Sequence, residues 1–111
     1  MKRAFILMNF PLSEQQTADL TANWGVSSFC YPPVTIKKIW AEIPPEATDI
    51  ESLTQPVIDW LGIVGGNDIV VLHGDADAMR VVRKNSPQTT IITPVIVTGG
   101  GTFRHVRFKI I

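Results

Sequence analysis

Cys30 is the only cysteine in 111 residues, so the chain cannot form an intrachain disulfide. A reducing cytoplasm fits that usage, and Cys30 itself reads as a small buried hydrophobe. Charge of one sign is also missing: ten Lys and Arg balance ten Asp and Glu, for a formal net charge of zero. Long duplex DNA and anionic membranes select strongly basic proteins, so neither is an expected partner. A small anionic ligand needs only a local cluster of donors and passes this test. No apolar run approaches the length of a transmembrane helix. Met1-Lys2-Arg3 followed by Ala4 to Met8 resembles a signal peptide only superficially, because Asn9, Pro11 and Glu14 interrupt it at once. His73 and His105 are the only histidines, and no clustered Cys or acidic pattern turns them into a zinc site. No metal and no cofactor are expected, and a soluble cytoplasmic protein is.

What is present is enough for one folded domain over residues 1–111. Hydrophobic residues make up 45% and charged residues 18%, which excludes a disordered chain. Residues 3–8 read as a buried first strand with turn signals behind it. Leu12-Ser13-x-x-Gln16 reads as a helix start, with Ser13 as N-cap and Gln16 completing a capping box. That helix runs to Asn23-Trp24 and stops at Gly25, with Leu12, Ala18, Ala22 and Trp24 as a loose apolar stripe. Residues 26–31 form a short second strand ended by Pro32-Pro33, and Val34 to Trp40 a short helix. Thr48 or Asp49 caps a longer helix through Leu61, which either kinks at Pro56 or begins near Thr54. Ile50, Leu53, Val57, Ile58 and Leu61 give it a core-facing stripe.

A third strand over 69–72 meets Gly74-Asp75, and a helix follows over 75–84, with Ala78, Val81 and Val82 inward. Thr90 to Val97 is a fourth strand, in which Pro94 implies a bulge, an edge position or a break. Residues 98–102 read as a flexible loop. From Phe103 to Ile111 the chain alternates, with His105, Arg107 and Lys109 on one face and Val106, Phe108 and Ile110 on the other. Strands alternating with helices predict an α/β layered fold with a mostly parallel sheet.

In such sheets ligands bind beyond the carboxyl ends of the strands. Three ends offer polar or glycine residues: Asn9-Phe10, His73 to Asp77, and Thr98 to Thr102. Gly74 would let a ligand approach the backbone, and the helix start behind it would face an anion. Asp75 and Asp77 would repel a phosphate placed beside them and suit ribose hydroxyls or an adenine amine. Asp75 also reads as a plain helix N-cap. Gly99-Gly100-Gly101 lacks the Gly-Lys-Ser/Thr of a phosphate-binding loop. Each histidine reads as structural or solvent-exposed, with acid–base work as the alternative. The tryptophans read as core, and Trp40 beside Pro44-Pro45 is the one best placed to stack on a base.

The segments have an order that resembles a known family. Leu12-Ser13-x-x-Gln16 is followed by Trp40-x-x-Ile43-Pro44-Pro45-Glu46, Trp60-Leu61, Asp68-x-Val70-Val71-Leu72-x-Gly74-Asp75 and Thr93-Pro94-Val95. Together they resemble the small ring nuclease-like proteins associated with type III CRISPR antiviral systems, over most of the chain to about Thr98. The resemblance implies a compact three-layer Rossmann-like domain akin to the CARF sensor domains. It implies a homodimer or higher oligomer that binds a cyclic oligoadenylate, usually the tetra-adenylate, between protomers. It also implies metal-independent cleavage, in which a ribose 2′-hydroxyl attacks its adjacent phosphate.

On that resemblance Asn9 and Ser13 are the catalytic candidates. Asn9, Phe10, Gly74, Asp75, Ala76, Asp77, Thr98 and Gly99 are the ligand-binding ones. Three departures stand against it. Asn9-Phe10 replaces the Ser-His of many members, Ala76-Asp77 replaces an aromatic and a glycine, and Thr98 with three glycines replaces a Thr-Thr-Lys/Arg-like end. A sponge that sequesters the ring without cutting it is therefore the first alternative. A protein-interaction module without nucleotide affinity is the second.

Overall fold

Ala4 to Met8 are buried on both sides, which is the pattern of a strand at the centre of a sheet with helices on each face. In the computed structural model, which describes residues 2–111, this strand β1 spans Arg3–Met8. Helix α1 (Glu14–Trp24), strand β2 (Ser28–Cys30), helices α2 (Val34–Ala41) and α3 (Ile50–Leu61) and strand β3 (Ile69–His73) follow. Helix α4 (Ala76–Asn85) and strands β4 (Thr90–Gly99) and β5 (Thr102–Ile110) complete the order. The sheet runs β2-β1-β3-β4-β5. The first four strands are parallel, and β5 returns antiparallel along β4.

Two cores flank the sheet. Phe5, Leu7, Val70, Leu72 and Ile91 face α2, α3 and α4, and meet Ile36, Trp40, Val57, Leu61, Ala78 and Val82. Ala4, Ile6, Met8, Ile69, Val71, Ile92 and Phe108 face the other way and pack with Leu20 of α1 and Val26. The chain is thus a three-layer α/β fold. The connection from β1 leads outward to β2, whereas β3 lies on β1's other side. The direction of winding therefore reverses between β1 and β3, which is where such sheets open a crevice at their carboxyl ends.

Local chemistry sets the element ends. Ser13 accepts from Gln16 N at 3.1 Å, and Gln16 Oε1 accepts from Ser13 N at 3.0 Å, so the capping box is complete. Gly25 ends α1 at φ 68°, a left-handed position that favours glycine. Asp49 caps α3, and Pro56 lies inside this helix without ending it. At the amino ends of β1 and β3, Asp68 binds Arg3 through both its backbone N–H and its guanidinium, and also accepts from Gly65 N.

Several sequence expectations are corrected. The inner face of α1 is Gln16 and Leu20; Ala18 and Ala22 are exposed. On α3 Leu53 is exposed and Thr54 is buried instead, its hydroxyl donating to Ile50 O at 2.7 Å. Trp40 is no stacking platform: it is 2% exposed in the core, and its indole Nε1 donates to His73 O at 3.0 Å. Residues 98–102 form a tight hairpin. Gly99 pairs with Thr102, and Gly100 and Gly101 take φ 59° and 78°, positive values that glycine adopts at little cost.

The strict alternation read for the last strand also breaks. Val95 pairs with Arg107 but Ile96 pairs with His105, so Val106 is an extra residue in a β-bulge. The bulge turns His105 onto the face of Phe108, with ring centroids 4.7 Å apart, instead of the face of Arg107 and Lys109.

Candidate functional site at the strand ends

The carboxyl ends of β1 and β3 open into a cleft of about 470 Å³, a size suited to a small ligand. Phe10, Pro11, Ser13, Gln15 and Gln16 form one side, where the chain leaves β1 and enters α1. His73, the last residue of β3, supplies the floor. Ile96, Phe103 and His105 form the other side, from the part of the β4–β5 hairpin that outruns the parallel sheet. Phe10 and His73 stack edge to face, with centroids 5.2 Å apart. Phe103 is 79% exposed and carries a large apolar ring at the rim.

The polar groups of the cleft are few and specific. The first turn of α1 aims its free N–H groups, those of Glu14 and Gln15, away from the helix body, and no intrahelical partner exists for them. Such a terminus favours an anion. Glu14 itself is exposed and does not line the cleft. Gln16 is buried, and its carbonyl oxygen is engaged in the capping box.

The two histidines differ in their surroundings. His105 Nε2 lies 2.7 Å from Asp19 Oδ2, with the His105 side chain 5% and the Asp19 side chain 14% exposed. Asn23 Nδ2 donates to the other oxygen of Asp19 at 2.8 Å. Burial pushes the Asp19 carboxyl up, but the hydrogen bonds from Asn23 and His105 outweigh it and hold its pKa below the usual value. Asp19 is therefore ionised at neutral pH. Among the described residues, two buried side-chain polar atoms lack a hydrogen-bond partner: His73 Nδ1 and His105 Nδ1. Both residues line this one cleft. A buried polar atom without a partner is uncommon and calls for a reason, such as a ligand or a bound water.

The residues singled out in the sequence divide. Phe10 and Ser13 line the cleft, while Asn9 is exposed beside it and is not part of the lining. Gly74 and Asp75 lie on the far side of β3's end, toward α2 and α4. A Cβ on Gly74 would sit 2.6 Å from Trp40 Nε1, so the backbone approach that this glycine permits is that of a core tryptophan. Asp75 caps α4 by accepting from Ala78 N at 3.0 Å, and Asp77 pairs with Arg80 at 2.8 Å. Ala76 is exposed. Thr98 and Gly99 are exposed near the hairpin tip and do not line the cleft either. The other seven lining residues, His73, His105 and Gln16 among them, are not among the ligand contacts that the sequence suggests. The signal for the histidines is that the chain holds two, one at a strand end, and for Gln16 its place in the capping box.

Against known proteins, residues 2–98 match a family described as the uncharacterized protein MJ1673 family. The matched span contains β1 to β3, β4 up to Thr98 and the Phe10, Gln16 and His73 sides of the cleft, and stops before β5. The chain is 32% identical over 79 residues to the uncharacterized protein MJ1673 of Methanocaldococcus jannaschii, across 70% of this chain and 61% of that protein. It thus spans about three fifths of the length of this relative. No solved structure matches.

Proposed function

The chain belongs to the uncharacterized MJ1673 family, and we propose that it binds a cyclic oligoadenylate in the strand-end cleft and cleaves it. The observation that carries this reading is a pair of histidines, each with a buried Nδ1 that lacks a partner, lining one cleft beside the free start of α1. A nucleotide supplies what each part lacks. Its phosphate oxygens accept from the N–H groups of α1. Its base packs against Phe10 and Phe103, whose rings are sequence-tolerant stacking surfaces. Its ribose hydroxyls both donate and accept, and so match an imidazole in either tautomer.

The doubly wound strand order supports a Rossmann-like domain, with its ligand at the point where winding reverses. A cleft of this volume holds part of a four-nucleotide ring. Two copies related by a two-fold axis hold the whole of a two-fold ring, so the protein works as a homodimer. Cleavage follows from orientation: the 2′-hydroxyl of one ribose is held in line with its neighbouring phosphorus, and the fixed donors stabilise the charge that develops. The product is a linear strand with a 2′,3′-cyclic phosphate, and the signal carried by the ring in type III CRISPR defence ends.

Incubation of pure protein with cyclic tetra-adenylate in EDTA tests this reading. Saturable binding and a linear product are expected. Tight binding with the ring recovered intact would leave sequestration in place of cleavage. Absence of both binding and product would overturn the proposal.

A further inference from the structure

We infer that His105, oriented by Asp19, is the general base that removes the proton of the attacking ribose hydroxyl. The inference rests on the reading above that a ring of RNA occupies the cleft. Three independent features place His105 there. The bulge at Val106 turns its ring from the basic outer face of β5 to the cleft. The His105 side chain is 5% exposed and lines the cleft, so a ligand bound there packs against what remains of its surface. Asp19, on α1, fixes the ring from behind at 2.7 Å.

The tautomer follows from that contact. An ionised carboxylate only accepts, so Nε2 carries the ring proton that it donates to Asp19. In the neutral ring Nδ1 then holds a bare lone pair, and Nδ1 is the atom without a partner. A base within hydrogen-bond reach of the reacting group, oriented by a third group behind it, is the arrangement that activates a hydroxyl nucleophile. Asp19 is a positioning residue, since its two oxygens are taken by His105 and Asn23 and it does not line the cleft. Among the described residues, Asp19 from α1 contacts the ring, His73 from β3 is the other titratable side chain lining the cleft, and Glu14 lies in the first turn of α1 beside it.

The step balances without a co-reactant. The ribose 2′-oxygen forms a bond to phosphorus while the bond from phosphorus to the 5′-oxygen breaks. The 2′ proton passes to His105 Nδ1, and the departing 5′-oxygen takes a proton from water. The imidazolium then returns its proton to solvent. Asp19 balances the charge of the imidazolium while it exists.

Single-turnover cleavage of cyclic tetra-adenylate in EDTA, from about pH 5 to about pH 9, separates the outcomes for wild type, His105→Gln and Asp19→Asn. His105→Gln is expected to lose about 100-fold or more in single-turnover rate at saturating ring. Asp19→Asn keeps a hydrogen-bonding side chain of the same shape. It is expected to slow cleavage and to move the acid limb of the pH–rate profile. A purely structural tie between α1 and β5 would change melting without moving that limb. Should His105→Gln fail to fold, Asp19→Asn decides the matter through the profile alone. Wild-type rates from folded His105→Gln, or an unmoved profile in Asp19→Asn, would overturn the inference and leave the binding site intact. Wild-type binding without cleavage would also overturn it. Failure of wild type to bind would remove the reading beneath it.

Discussion

Gly74→Ala is expected to destabilise the protein by about 3 kcal/mol, seen as a drop in melting temperature of roughly 10–20 °C. The reason is space rather than backbone conformation. The new methyl would meet three atoms of the Trp40 indole, at 2.6, 3.0 and 3.2 Å. Trp40 cannot give way cheaply, because it is 2% exposed among Phe5, Leu7 and Leu72 in the core. Overpacking of a dense core costs about 1–3 kcal/mol by itself. Moving the indole also strains its hydrogen bond to His73 O, the carbonyl at the end of β3. The same shift would disturb the floor of the cleft, so a weakened ligand site should accompany the lower melting point. Gly66→Ala is the control: nothing lies within 4 Å of its added carbon, and its stability should stay within about 0.5 kcal/mol of wild type. Equal melting of Gly74→Ala and wild type would show that Trp40 is held less tightly than the geometry says.

Asp68→Ala is expected to cost about 2–3 kcal/mol and to blunt the acid sensitivity of the fold. Asp68 is 6% exposed and accepts from the backbone N–H of Arg3 and Gly65 and from the Arg3 side chain. Removing the carboxylate orphans two backbone donors at the amino ends of β1 and β3, each worth about 1 kcal/mol or more. The hydrogen bond from Arg3 acts against burial and, with the backbone donors, holds the Asp68 carboxyl down to about 2. A carboxylate whose folded pKa lies below its unfolded value stabilises the fold fully above the unfolded pKa. That contribution is lost as pH falls from about 4 toward 2. Urea denaturation across this window should therefore show wild type losing about 2 kcal/mol that Asp68→Ala does not lose. Parallel slopes in the two proteins would show that Asp68 is not held in its ionised form by these bonds.

Much of the frame was legible because it is set locally. Ser13 and Gln16 sit three apart, and that spacing alone closes a capping box. Ala4–Met8 and Ile69–Leu72 are apolar without alternation, which marks central strands covered on both faces. Gly25 and Asp75 end and start helices through their own backbone or side chain. The cleft was harder to read because distant segments build it. Asp19 and His105 are 86 residues apart, and only the fold makes them a pair. The bulge at Val106 leaves no mark in a run that alternates cleanly on paper, so the ring of His105 was assigned to the wrong face. Trp40 misled for a related reason: its proline-rich neighbours suggested exposure, whereas the glycine that receives it lies 34 residues away. Thr98 and Gly99 read as a loop after the fourth strand, but they are the last residues of β4, which continues past β3 into the hairpin and carries them away from the sheet end.

The claim that the strand-end cleft is the ligand site is tested most directly by nitrogen NMR of the imidazole rings during titration with cyclic tetra-adenylate. The chain has two histidines, so four ring nitrogens report the whole of the cleft's orphaned chemistry. The expected result is a saturable shift of the Nδ1 signals of both His73 and His105, together with the backbone amides of Phe10 and Gln16. The contradicting result is ring signals that stay still at saturating ligand, or shifts confined to the groove between α2 and α3 at Lys38, Glu42 and Leu53.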